Sequence, residues 1–389
     1  MRVLVTCCAG YGHLQPMLPL ARALADGGHE VAVTVASDLV PRAEAAGFTA
    51  FASGITTGEG FGRLGELFPD RRFDRLLPEQ IFGWYLPHLF GEVLAPAMLR
   101  DLEGLVGEWR PDLVIHETTE FAGPVAAAAA GIPSACVTLG LRLPETIVDA
   151  VALAVAPLWR QRGLVPDPTA GIYRHLCLDI TPPSFQPYES ELGRAVLRPL
   201  RPIPLPPVPG EKLAGWIEAR RHRPLVYMTL GTNTNSDLSM FRAALDGLMA
   251  VDLDLLVTIG FDTEAELLEP LPDNAHVEAY VPQSLLLPRC AAVICHGGAG
   301  TTFNSFAEGL PLLVLPQGAD QYLIGDLVTA TGAGLKLTPP EVTPASVREA
   351  VLALLQDGRY RAAAATLKAE IAAMPGPEEA VLLIEDLVK

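Results

Sequence analysis

Residues 296–302 read HGGAGTT, at the end of the apolar run AAVIC and ahead of a helical pattern. Glycines at a strand-to-helix turn let the backbone come close to a ligand. The helix N-terminus beyond them presents free N–H groups and a partial positive charge. Thr301 and Thr302 add hydroxyl donors. Together these groups make a cradle for phosphate. No GK[ST] follows, so a P-loop and Mg²⁺-dependent NTP hydrolysis are disfavoured. A glycine-rich turn with no ligand is the plain alternative.

A second chemical group stands near the start of the chain, where GYG (10–12) precedes His13. A helix over 14–26 is expected, and a helix N-terminus disfavours imidazolium, which keeps the ring neutral and able to take a proton. A general base of that kind contributes about 10²–10⁴-fold in rate. The alternative is a histidine that only caps the helix. A GxGxxG fingerprint would need glycine where Gln15 stands, so NAD is disfavoured. A base of this type works with a carboxylate on its other ring nitrogen. The stretch LVIHETTEF (113–121) offers Glu117, just past a strand end, and Glu120 as the second candidate. His116 reads as packing or pocket lining.

The elements that must position these groups alternate. RVLVTCCA is a strand-like run, and Leu14, Met17, Leu18, Ala21, Leu24 and Ala25 fall at helical spacing before Gly27-Gly28 and the strand EVAVTVA. PDLVIHE, AGPVAAAAAG and IPSACVTLG repeat the strand–helix–strand order, which favours a parallel α/β sheet. RPLRPIPLPPVPG (198–210) is too proline-rich for a central strand or helix interior and reads as an extended linker. The rhythm then restarts with PLVYMTLG, LDLLVTIG, HVEAYV, AAVICH, PLLVLP and GAGLKL, with helices expected over 237–250, 283–289, 300–308 and 319–331 and a helical end over 343–388. The domains are therefore expected at 1–200 and 213–372, with a linker at 201–212 and a C-terminal helix at 373–389 packing back on the first domain. In such sheets ligands bind at the carboxyl ends of strands.

Residues 55–110 are expected to be irregular, with Pro78 and Pro87 breaking any long amphipathic helix. Phe61, Phe68, Phe73, Phe82, Trp84, Tyr85 and Phe90 fall there. They suit either the wall of a pocket for a flat or polyketide-like molecule or ordinary core.

The composition excludes other partners. The 389 residues carry a net charge of −17, with no basic footprint for nucleic acid. No apolar run reaches the ~18 residues that span a bilayer, and MRVLVTCCAG is a poor signal peptide, so a cytoplasmic protein without membrane contact is expected. The six cysteines have no CxxC spacing and read as buried thiols, with no metal expected.

AYVPQ (279–283), HGGAGTT and PQGADQ (316–321) form an ordered set at strand ends. The set resembles the nucleotide-sugar signature of family 1 glycosyltransferases, in which an aromatic-x-Pro-Gln element precedes His-x-Gly-x-x-[Ser/Thr] and Asp/Glu-Gln follows. The texture is similar to the actinobacterial natural-product branch of that family. The resemblance implies the GT-B fold, two Rossmann-like domains facing across a cleft, and an enzyme of antibiotic or other secondary metabolism. It implies a nucleotide-sugar donor and a small hydrophobic aglycone as substrates, with no further cofactor. Tyr280 stands where a base is stacked and Val281 where its edge is read. His296, Gly297, Gly298, Gly300, Thr301 and Thr302 stand where the pyrophosphate is held. Asp320 and Gln321 stand where sugar hydroxyls are bound. LGTNTN (230–235) resembles a second phosphate loop, which brings in Gly231 and Thr232. Phe61, Phe82, Trp84 and Tyr85 are the expected acceptor contacts.

His13 stands at the family's catalytic base, which implies inverting, metal-independent transfer without a covalent intermediate, and Glu117 stands where the family has its partner Asp. Asn304 occupies the place of a glutamate that UDP-glucose users direct at both ribose hydroxyls. A deoxyribose lacks one of these, so a dTDP-activated deoxysugar is favoured over a UDP-sugar. A nucleotide-sugar epimerase and a non-catalytic nucleotide-sugar-binding partner protein are the competing readings. O- versus C-glycosylation and the oligomeric state stay open.

Overall fold

The computed structural model describes the chain except for residues 71–82, 188–189, 208–209, 220–221, 232–237 and 261–263. The chain divides into two compact units. The first comprises Met1–Thr181, Gln186–Arg201 and Met374–Lys389, and the second Pro182–Phe185 and Pro202–Ala373.

The first unit is built on strands β1 (Arg2–Thr6), β2 (Glu30–Val35), β3 (Thr49–Ala52), β4 (Leu113–Glu117), β5 (Ser134–Val137), β6 (Leu176–Asp179) and β7 (Leu197–Pro199). Their order is β3-β2-β1-β4-β5-β6-β7, and every pairing is parallel. The central strands β4 and β5 are buried along their whole length, as parallel strands covered on both faces by helices must be. Pro199 sits in the edge strand β7, where a missing N–H costs no ladder bond.

Residues 57–67 and 83–109 are helical, against the expectation of irregular structure over 55–110. A helix spans Thr57–Leu67, opened by a Thr56–Glu59 capping box. A second begins at 83, passes through a π-helical segment Leu86–Leu94 and continues as the α-helix Ala95–Trp109. Pro87 and Pro96 each fall in the first turn of their segment. Both lie inside one continuous helix, where the α register passes into the π register and back, and the change of register accommodates the missing N–H. Pro87 therefore does not break the helix. Pro78 and Phe73 lie outside the described residues.

The C-terminal helix Pro377–Val388 packs on the helix Leu18–Asp26 within the first unit. Ala380, Val381 and Ile384 are buried there, a contribution of roughly 1.5–3 kcal/mol for each larger aliphatic side chain. His29 Nε2 and Glu385 Oε1, 3.1 Å apart, add a polar clasp.

The second unit holds β8 (Leu225–Thr229), β9 (Asp254–Thr258), β10 (Ala275–Glu278), β11 (Ala292–Cys295), β12 (Leu312–Val314) and β13 (Gly334–Lys336), again all parallel. The order β10-β9-β8-β11-β12-β13 is the doubly wound arrangement of nucleotide-binding sheets. Phe185 is buried in this unit, with its ring 5.6 Å from Phe303 and 5.7 Å from Phe306.

Each sheet reverses its winding once, between β1 and β4 in the first and between β8 and β11 in the second. A crevice opens outside the carboxyl ends of the strands at such a point.

Candidate active site

His13 lies beyond β1 and Glu117 ends β4, so both sit at the switch point of the first sheet. Thr6 pairs with His116 in the ladder, which brings the two strand ends side by side. His13 belongs to the first helical turn, Tyr11–Leu14, rather than preceding a helix at 14, and its N–H donates to the Gly10 carbonyl at 3.0 Å. A 3₁₀ turn, Gln15–Met17, then joins this turn to the helix Leu18–Asp26.

The imidazole Nδ1 lies 2.9 Å from Glu117 Oε1. The carboxylate only accepts, so Nδ1 carries the hydrogen of this contact. The His13 side chain is 23% exposed while Glu117 is fully buried, so the ring reaches solvent and its partner does not. Burial drives the Glu117 pKa up, but the charge and hydrogen bond of His13 and the donors of Thr119 outweigh it and hold the carboxyl below its usual value. The Thr119 hydroxyl donates to both carboxylate oxygens, at 2.8 and 2.9 Å, and the Cys8 N–H reaches Oε1 at 3.3 Å.

Glu120 is buried but turned elsewhere. Its oxygens accept the N–H groups of Ala122 and Gly123, each at 2.8 Å, at the start of the helix Ala122–Ala130. Burial, with the nearby Glu117 charge, pushes its pKa up to about 8 against these bonds, and its oxygens face the helix start where those of Glu117 face His13. His116 Nδ1 faces the carbonyls of Glu117 and Glu120 at 3.2 and 3.1 Å, and burial lowers its pKa to about 4, so the ring is neutral.

Aromatic residues gather beside this pair. Phe90, in the π-helical segment, has its ring 5.7 Å from that of His13. Trp84 and Tyr85 join Phe68, Leu64 and Leu89 in one cluster, and Phe61, 46% exposed, lies edge-on to Tyr85 at 5.6 Å. Phe82 lies outside the described residues. A small, partly open cavity, lined by Cys8, Phe90, Met98, Glu120 and Phe121 among others, lies nearby.

At the switch point of the second sheet, His296 follows β11. A Cβ on Gly298 would come within 2.5 Å of His296 Nε2, and one on Gly231 within 3.2 Å. The imidazole is thus packed between the loops that follow β8 and β11, and burial lowers its pKa to about 4. Gly231 has φ +96° and Gly297 φ +90°, a region that favours glycine. A Cβ on Gly297 would also meet the Gln321 carbonyl at 3.1 Å, so the Asp-Gln turn lies against the glycine loop. Thr232 lies outside the described residues.

The helix Ala299–Ala307 has Gly298 as its N-cap, and its first internal bond runs from the Thr302 N–H to the Gly298 carbonyl. The N–H groups at 298–301 therefore have no partner within the helix. Thr302 departs from expectation: its side chain is fully buried, with its hydroxyl toward Cys295. At this helix start the backbone N–H groups and Thr301 reach the surface, whereas the helical turn points position 302 into the core. Thr301 Oγ1 accepts from Gln283 Nε2 at 3.2 Å, and Asn304 Nδ2 donates to Gln283 Oε1 at 3.3 Å. Gln321 Oε1 accepts the N–H groups of Gln317 and Gly318 at 2.8 and 3.1 Å. Tyr280 and Asp320 are partly exposed and Val281 is buried.

Thr119, Cys8 and Gln283 touch candidate site residues and were not singled out by motif reading, whereas Phe90 was named among the candidate pocket aromatics. Gln283 was legible as the last residue of AYVPQ. Thr119, two residues after a strand-end carboxylate, carried only the weak signal of a side-chain turn.

Residues 22–231 match the N-terminal and 242–387 the C-terminal domain of the erythromycin biosynthesis protein CIII-like family. The chain is 33% identical to the L-demethylnoviosyl transferase of Streptomyces niveus, over 97% of this chain and 96% of that protein. It is 30% identical to the 3-alpha-mycarosylerythronolide B desosaminyl transferase of Saccharopolyspora erythraea, over 100% of this chain and 98% of that protein. Among solved structures it is similar to the glycosyltransferase SsfS6 of Streptomyces sp. SF2575 complexed with thymidine diphosphate, with a TM-score of 0.80, 28% identity and 99% coverage of each chain. The two doubly wound sheets and the strand-end loops thus define a GT-B glycosyltransferase of the natural-product type. The chain belongs to the erythromycin biosynthesis protein CIII-like family. Among the described residues no helix is long and apolar enough to cross a membrane.

Proposed function

We propose that this glycosyltransferase moves a deoxysugar from a dTDP donor, with a UDP-sugar as second choice, to a hydroxyl or aromatic carbon of a hydrophobic natural-product aglycone, with inversion. The observation that carries the reading is the His13–Glu117 pair at 2.9 Å. Glu117 fixes the hydrogen on Nδ1, which leaves Nε2 free to take the acceptor proton. The acceptor oxygen then attacks the anomeric carbon opposite the nucleotide, and the C–O bond to the diphosphate breaks. Glu117 stabilises the imidazolium that forms. The N–H groups at 298–301 stabilise the departing diphosphate charge. A single displacement of this kind needs no enzyme nucleophile.

The resemblance to a transferase complexed with thymidine diphosphate supports the dTDP choice, as does Asn304 at the position read as a ribose contact. Phe61, Trp84, Tyr85 and Phe90 supply apolar surface suited to a flat aglycone.

Calorimetry of dTDP and UDP on the parent and on His13→Ala tests the reading. Tighter dTDP binding, unchanged by His13→Ala, together with loss of transfer is expected. Equal affinity for the two nucleotides removes the dTDP preference, and no binding of either removes the donor cradle.

A further inference from the structure

We propose that Thr119 is a positioning residue that holds the Glu117 carboxylate on His13 Nδ1 and so selects the tautomer of His13. Three kinds of contact converge on it. Its hydroxyl donates to Oε1 and Oε2 of Glu117 at 2.8 and 2.9 Å. Its own N–H donates to Oε2 at 2.5 Å. The same hydroxyl oxygen lies 3.2 Å from His13 Nδ1. Thr119 is itself fixed, because Cys8 Sγ donates to its carbonyl at 3.3 Å.

The physical need follows from the side chain that carries the carboxylate. Glutamate has one more rotatable bond than aspartate, so a glutamate at a strand end can swing off the imidazole. Glu117 is fully buried, and a buried carboxylate left with unfilled acceptor sites is destabilised by its lost solvation. Thr119 fills those sites from beside the ring, with its hydroxyl within reach of both carboxylate oxygens and of Nδ1. The remaining direction of Oε1 then points at Nδ1. Without the hydroxyl, the carboxylate can turn toward the Cys8 and Thr119 N–H groups and leave Nδ1, and the hydrogen is then free to move to Nε2. That movement removes the lone pair a base requires.

The catalytic consequence rests on the proposed function, but the positioning itself can be read without turnover. The probe is the full-length protein labelled with ¹⁵N-histidine, in which long-range ¹H–¹⁵N spectra distinguish the two neutral tautomers. The His13 ring is assigned by its loss in His13→Ala. The parent is expected to hold His13 almost entirely as the Nδ1–H form, and Thr119→Val to hold it as a mixture dominated by Nε2–H. Thr119→Ser, which keeps the hydroxyl, is expected to restore the parent spectrum. Glu117→Gln is expected to disturb the tautomer, and Thr119→Val added to it to change nothing more, because residues acting through one contact are not additive. Thermal melts and the remaining histidine resonances of each variant report whether the first unit is folded, and dTDP binding reports on the second. The proposal is overturned if Thr119→Val binds dTDP and keeps the Nδ1–H form. It is also overturned if Thr119→Ser behaves as Thr119→Val does, which would mark a packing role. If His13→Ala proves fully active while the tautomer responds as expected, the proposed role of His13 falls and the positioning by Thr119 stands.

Discussion

Glu117 Oε1 lies 2.9 Å from His13 Nδ1 across 104 residues of sequence. The contact exists because β1 and β4 are neighbours at the point where the first sheet reverses its winding. Neither residue needs a special local conformation to reach the other.

That reach has a defined length. Glu117→Asp draws the carboxylate back by one methylene, beyond hydrogen-bonding distance of the imidazole. Transfer is expected to fall by at least about tenfold, within the range ascribed to general-base catalysis, with dTDP affinity unchanged. Steady-state rates alongside calorimetry check this. Full activity would show that Glu117 does not act through His13.

Two glycines of one loop separate folding from binding. A Cβ on Gly298 meets His296 Nε2 at 2.5 Å, whereas one on Gly300 meets nothing within 4 Å. Gly298→Ala is expected to cost roughly 1–3 kcal/mol by overpacking. Gly300→Ala is expected to hold or raise stability, by up to about 1 kcal/mol of helix propensity, and yet to weaken dTDP binding. Thermal melts with and without nucleotide decide it; a Gly300→Ala chain that binds dTDP like the parent would mean the diphosphate lies elsewhere.

Asn304 donates to Gln283 at 3.3 Å. Asn304→Glu is expected to shift the ratio of UDP to dTDP affinity toward UDP by about tenfold, the size of one hydrogen bond to a charged group. Competition calorimetry measures the ratio, and an unchanged ratio would remove Asn304 from the ribose.

Stability should pass through a maximum near pH 6.5. Burial lowers the pKa of His116 and of His296 from 6.5 to about 4. Below 6.5 the unfolded chain binds protons that the folded one refuses, so stability falls with falling pH. Glu120 is shifted the other way, from 4.5 to about 8. Between those values the folded chain keeps a proton that the unfolded one has lost, so stability falls as pH rises. Its share of the slope is at most about 1.4 kcal/mol per pH unit. Glu120→Gln is expected to flatten the alkaline limb in denaturant titrations from pH 6.5 to 8 at fixed ionic strength. An unaltered limb would show that Glu120 ionises normally.

What the sequence determined by itself were the groups whose neighbours along the chain carry the signal. Hydrophobic alternation marked the paired βα rhythms, the run of prolines marked the break between them, and HGGAGTT with PQGADQ marked the phosphate loop. These are local patterns. The tertiary structure decided whatever depended on direction. It turned Glu120 into the cap of the helix Ala122–Ala130 and Glu117 toward His13, because a turn separates the strand-end Glu117 from Glu120. It buried Thr302 and left Thr301 facing Gln283, because adjacent helical positions point about 100° apart. It also kept residues 83–109 helical through two prolines, since a proline's cost depends on whether its position needs an N–H, and only the hydrogen-bond register of the folded chain decides that.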